Sequence, residues 1–125
     1  MKLYRSEDEV SVSGDVAELK DMRLKIERIK EKEEIEFTFD TDASSEPYKF
    51  LEKSMIVRAG EGPAIAVYEK GMGIVVSGSL KNLEVFSSFF DFEEDTEAGC
   101  HYHWDEACGT DYVADGTLPI VVAVA

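Results

Sequence analysis

The chain has 125 residues, 44% hydrophobic and 32% charged, with 27 acidic against 13 basic side chains and a net charge of −14. That length can bury one proper core, and the composition is that of a globular chain and not a disordered one. The charge excludes generic binding to nucleic acid or an anionic membrane, since phosphate would repel it, and no stretch approaches the roughly 20 apolar residues of a membrane span.

The first nine residues turn charged at once and lack the apolar core of a signal peptide, so the expected compartment is the cytoplasm. Lys2–Tyr4 and Val10–Ser13 read as two strands joined by the charged turn Arg5–Glu9. Asp15 is placed to cap a helix, and Glu18 three residues later completes a capping box. The helix should run from Val16 to Lys32, with Val16, Leu19, Met22 and Ile26 facing the core. Ile35–Phe39 alternates like a half-buried strand, Asp40–Pro47 is a polar loop, and Ser54–Ala59 is the next strand.

The pattern then starts again. Ala64–Tyr68 and Ile74–Ser77 flank Glu69-Lys70-Gly71-Met72-Gly73, a hairpin whose glycines suit positive backbone dihedrals. Ser79 caps a second helix, Leu80–Phe92, with Leu80, Leu83, Phe86 and Phe90 as its stripe. Cys100–Trp104, the polar loop Asp105–Gly116 and the strand Leu118–Val124 complete the chain. Val12-Ser13-Gly14 recurs as Val76-Ser77-Gly78, Tyr4 as Tyr68, Tyr48 as Tyr112, and Ile56-Val57 as Ile120-Val121, all 64 positions on. These matches predict an internally duplicated α+β domain over residues 1–125, with pseudo-repeats 1–61 and 65–125. Each unit is β-β-α-β-β, and the two helices lie on one face of a mostly antiparallel sheet. Counted from the strand before each helix, the unit is β-α-β-β-β, which resembles the DNA sliding-clamp repeat in topology alone.

Both histidines and both cysteines fall in Cys100–Cys108. His101, His103 and Asp105 share one face of a strand, which could ligate zinc or another divalent metal with a position left for water. Such a site would be structural or that of a metal-dependent hydrolase. Against it, Cys100, Tyr102 and Trp104 form the natural core-facing set. At an offset of 64 the histidines would align with the apolar Phe37 and Phe39, but one extra loop residue shifts the offset to 65 and turns them outward. The expectation is therefore a buried Tyr102 and Trp104, with His101 and His103 accessible. Cys100 beside His101 would face the opposite side, and Cys108 with His103 is a possible nucleophile pair. The cysteines are expected to be reduced thiols. No P-loop, dinucleotide-binding glycine motif or nucleophile elbow is present, so the chain is not expected to be an enzyme.

Val75-Val76-Ser77-Gly78-Ser79-Leu80-Lys81-Asn82-Leu83, then His101-Tyr102-His103-Trp104-Asp105, then Gly116-Thr117-Leu118-Pro119-Ile120-Val121-Val122 resembles the immunity protein 32 family of bacterial polymorphic toxin systems. The resemblance covers mainly residues 64–125. It implies a non-catalytic protein without a cofactor that binds and neutralises a cognate toxin.

Charge points the same way. Residues 65–125 hold 11 acidic and 2 basic side chains, residues 1–64 hold 16 and 11. A basic protein partner would thus meet the C-terminal half, through Glu93, Glu94, Asp95, Asp105 and Glu106. A third reading is a homo-oligomer subunit that pairs through an edge strand.

Overall fold

The computed structural model describes residues 1–125. Along the chain it has β1 (Lys2–Arg5), β2 (Val10–Gly14), α1 (Val16–Glu27), β3 (Glu34–Thr38), β4 (Phe50–Glu52), β5 (Ser54–Ala59) and β6 (Ile65–Glu69). There follow β7 (Gly73–Gly78), α2 (Leu80–Ser88), β8 (His101–Trp104), a 3₁₀ turn (Glu106–Cys108) and β9 (Ile120–Val124). The α+β class, the two helices and the mostly antiparallel pairing match the expectation. The strands divide between two sheets, in the orders β4-β1-β2-β9-β8 and β3-β5-β7-β6. No helix is long and apolar enough to cross a membrane.

Each sheet takes a hairpin from one half of the chain and two strands from the other, and the larger sheet adds β4. The hairpin β1–β2 joins β9 through a parallel ladder, and the hairpin β6–β7 joins β5 through another. Four strands of each sheet therefore follow the same pairing order, and β4 has no counterpart in the smaller sheet. Their ladders do not keep a single offset. Val10 corresponds to Ile74 (64 positions), Ile120 to Met55 (65), Trp104 to Phe37 (67) and Leu3 to Ala66 (63). The expected matches of Tyr4 with Tyr68 and Ile56 with Ile120 are thus one residue out of register. Loops of different length absorb the slips, while the inward-facing apolar positions stay aligned.

A neighbouring segment crowds the glycine that ends each hairpin, backbone against Gly78 and the Met1 side chain against Gly14. A Cβ on Gly78 would lie 2.7 Å from Ala64 Cα, and one on Gly14 would lie 2.6 Å from Met1 Cγ. Gly73, at φ 96°, turns the second hairpin with no room for a side chain against the Ser54 carbonyl.

Asp15 accepts from Glu18 N at 2.7 Å and Glu18 Oε1 accepts from Asp15 N at 3.0 Å, so the capping box forms. Ser79 caps α2 by accepting from Asn82 N. Both helices are shorter than their sequence patterns suggest. α1 stops at Glu27, where Arg28 N–H turns back to the Lys25 and Ile26 carbonyls, and α2 stops at Ser88. The helices pack on each other, and α1 also reaches β2 and β3. Leu19, Met22, Ile26, Leu83, Phe86 and Phe90 enter one continuous core with the inner faces of both sheets. Leu80 departs from the expected stripe. As the first residue of α2 it lies beyond the packed turns and is exposed.

β4 has no strong apolar alternation and was not expected from the sequence. It pairs with β1 and places Glu52 beside Arg5, whose Nε donates to Glu52 Oε1 at 2.7 Å. The Arg5 guanidinium also lies 3.7 Å from the centre of the Tyr68 ring and 4.4 Å from that of Phe50. This cation–π contact joins the end of β1 in the larger sheet to β6 of the smaller one. On the outer face of the larger sheet Tyr4 stacks on Tyr48, and the Tyr48 hydroxyl donates to Glu9 at 2.9 Å.

Leu83→Ala should lower stability by ~2–5 kcal/mol through the cavity it leaves. Leu80→Ala should stay within ~0.5 kcal/mol, as an exposed site does. Urea unfolding of the two variants checks the contrast. Burial, then the Glu9 carboxylate, raises the Tyr48 phenol above its ordinary 10.0, partly offset by Ser11. The folded state thus holds this proton more tightly than the unfolded chain. The associated stability is intact below about pH 10 and falls as pH rises through the folded pKa. Absorbance titration should show one late-ionising tyrosine that disappears in Tyr48→Phe.

Candidate functional site

After α2 the chain passes through Phe89–Phe92 into a turn held by short bonds. Thr96 N and Oγ1 both donate to the Glu93 carbonyl, at 3.0 and 2.6 Å. Cys100 N donates to Glu97 O, and Gly99, at φ 95°, donates its N–H to Val124 O at 2.8 Å. These bonds deliver the chain to the start of β8. Here β8 begins at His101, one residue later than its pattern predicts, because Gly99 and Cys100 both face Val124. The closing strand likewise starts at Ile120, after Pro119, and not at Leu118.

Phe92 and Tyr102 stack with ring centres 4.7 Å apart and planes 24° from parallel. They form one wall of an open groove of about 860 Å³, lined also by Asp91, Glu93, Thr96, Ala98, Gly99, Cys100 and His101. It is the largest concavity on the molecule. No lysine or arginine follows Lys81 in the chain. Arg23 forms an ion pair at one end of the groove, its Nε 3.9 Å from Asp91 Oδ1. The carboxylates of Glu93, Glu94, Asp95 and Glu97 are exposed and have no ion-pair or hydrogen-bond partner. By contrast, Glu27, Glu34 and Glu52 are each held by an arginine.

Trp104 is 0% exposed and meets Phe86 edge-on at 4.9 Å, and Phe86 meets Phe90 at 5.2 Å. Its expected burial is found, and its indole N–H has no hydrogen-bond partner. The expected burial of Tyr102 is not. It is 47% exposed, although it shares the inward face with Trp104. Two residues upstream, Tyr102 stands beside Phe92, past the last turn of α2, so only one ring covers it.

His101 and His103 are exposed on the other face, as expected, with ring centres 5.0 Å apart. His101 Nδ1 lies 3.0 Å from Gly99 O, an acceptor that favours a proton on that nitrogen. Asp105 does not join them. Its Oδ1 accepts from Ala107 N at 2.9 Å and caps the 3₁₀ turn. No group of three His, Cys, Asp or Glu side chains is arranged to hold a metal ion, so the set His101, His103 and Asp105 is not assembled. The nucleophile pair is not assembled either, since Cys108 Sγ touches the His103 carbonyl at 3.9 Å. Cys100 and Cys108 are both free thiols.

Of the five acidic residues expected to meet a partner, the structure places Glu93 in the groove, with Glu94 and Asp95 next in its turn. Asp105 and Glu106 lie past the far end of β8, about 10 Å along the strand. Glu106 is bonded there, with Oε1 accepting from Gly116 N at 2.7 Å. Phe92 and Tyr102 belong to the groove; the sequence marks Phe92 only as the end of the second helix and Tyr102 as a core residue, not as partner-binding residues. Two aromatic residues ten positions apart, each next to a charged or polar neighbour, carry no periodic signal.

No protein-family model, curated protein or solved structure matches this chain. The resemblance to the immunity protein 32 family rests on the quoted residues alone.

Trp104→Ala should cost ~3–5 kcal/mol, while Tyr102→Ala should cost under ~1 kcal/mol. Trp104→Phe sheds the unpaired N–H donor and should cost less than half as much as Trp104→Ala. Thermal unfolding of the three variants orders these costs.

Proposed function

We propose that this chain is a non-catalytic binding protein that docks a basic protein on the groove between Asp91 and Tyr102 and neutralises it, as an immunity protein does its toxin. The observation that carries this reading is the run of unpartnered carboxylates, Glu93, Glu94, Asp95 and Glu97, beside an aromatic stack of which Tyr102 is exposed. Carboxylates left without counter-charges supply long-range attraction, which steers a cationic surface and raises its association rate. Exposed Tyr102 and half-buried Phe92 supply the desolvated centre that acids alone lack, since aromatic residues dominate the energetic centres of interfaces. A partner that is a basic nuclease would present the phosphate-binding surface that such a groove can occupy.

The test begins with the chain immobilised at low salt against the proteins of its own cell, with the triple variant Glu93→Lys, Glu94→Lys, Asp95→Lys as control. The partner should bind the wild type and elute with rising salt. The triple variant should slow association at least tenfold and change dissociation less. Expressed alone, the partner should arrest growth, and co-expression of this chain should relieve the arrest. A partner unaffected by the triple reversal would overturn the assignment of the groove. One that is harmless when expressed alone would overturn the neutralising role.

A further inference from the structure

Sheet edges are sites of association because they expose unpaired backbone groups, and proteins blunt most of them. The smaller sheet covers its β6 edge with residues 112–118, since Ala64 N donates to Tyr112 O and Leu118 N to Ala66 O. Its β3 edge carries Glu34 and Glu36. The larger sheet ends on one side in β4, only three residues long. The fourth edge, β8, has neither a cover nor a permanently charged residue.

The ladder shows which groups β8 leaves free. Val124 N donates to Cys100 O, so bonding to β9 falls at Cys100, Tyr102 and Trp104. The N–H and C=O of His101 and His103 therefore point away from the sheet. Only the 3.9 Å contact of Cys108 Sγ with the His103 carbonyl touches this edge.

We infer that β8 receives an extended basic segment of the partner as a sixth strand of the larger sheet. This rests on the binding reading above and specifies how the groove is used. Residues of the added strand opposite His101 and His103 would form the backbone bonds. Residues opposite Tyr102 would share its face, beside the Phe92 ring and the groove carboxylates. A lysine or arginine there lays its aliphatic stem on the aromatic stack and its charge near Asp91 and Glu93. The predicted signature is a strand with a basic residue at every second position. A second copy of this chain is the poorer occupant, because two bodies of charge −14 repel.

The probes are three peptides of equal charge, each alternating Lys and Thr over seven residues with blocked ends. One is unmodified, one is N-methylated at its threonines and one at its lysines. In the inferred register the threonine N–H groups face β8 and the lysine N–H groups face solvent. Calorimetric titration at low salt should show the threonine-methylated peptide binding at least tenfold more weakly than the lysine-methylated one. Amide exchange at His101 and His103 should slow at least tenfold with the unmodified peptide. Equal binding of all three with unchanged exchange would overturn the added strand and leave the acidic docking surface standing. Failure of all three to bind would overturn both. A doubled mass with His101 and His103 protected in the absence of peptide would assign the edge to a second copy and overturn the inference.

Discussion

Two parallel ladders hold the molecule together. Val10–Gly14 lies along Ile120–Val124, and Met55–Ala59 lies along Ile74–Gly78. Each ladder joins strands from different halves of the chain, so neither sheet can be completed by one half alone. The central strands are rich in valine and isoleucine because they are covered on the helix side and partly shielded on the other. The ladder between β2 and β9 closes nearly the whole chain into one loop. Its entropic cost has to be met before its contacts form, which makes late docking of β9 the expected slow step of folding. The groove depends on the same event. Gly99 and Cys100 bond to Val124, so β8 and the acidic turn before it have no template until β9 is in place.

Local signals were legible in the sequence wherever one residue meets one geometric demand. Asp15 with Glu18, the glycines of the second hairpin, and the Leu19-Met22-Ile26 stripe all formed as read. The division into two sheets was not legible, because strand partners follow from which faces the helices cover and not from any strand's own pattern. β4 escaped for a related reason: Phe50-Leu51-Glu52 is a strand only because β1 offers it an edge. The outward orientation of the histidines came from letting Trp104 choose the register. The slip is three residues relative to β7, not one, but both are odd, and parity is what decides the face. Tyr102 shows the limit of that argument. Alternation assigns a side chain to a face, whereas burial depends on whether another element reaches that far along it.

The acidic side chains fall into two populations, and net charge alone does not separate them. Glu18, Asp105 and Glu106 cap helical turns or hold a loop, while Glu27, Glu34 and Glu52 pair with arginines. These charges are spent on the fold. Asp105 illustrates the point: from sequence it served two hypotheses, metal ligand and partner contact, and the Ala107 N–H has claimed it for a third purpose. Glu93, Glu94, Asp95 and Glu97 have no such task. Their mutual repulsion within one turn destabilises the free protein slightly, and a cationic surface relieves it on binding.

A surface of this kind favours speed over geometry, because exposed charges steer an encounter but do little to fix the pose. The pose has to come from short-range features. Phe92 and Tyr102 provide shape, and the backbone groups of His101 and His103 provide direction, since only registers of one parity keep an added strand's alternation matched to its neighbour. The two contributions should separate under salt. Screening weakens the carboxylates, whose reach is about 10 Å at 0.1 M ionic strength, far more than it weakens hydrogen bonds to a strand edge. A complex built this way would form more slowly as salt rises and come apart at nearly the same rate. One held by charge alone would lose on both counts.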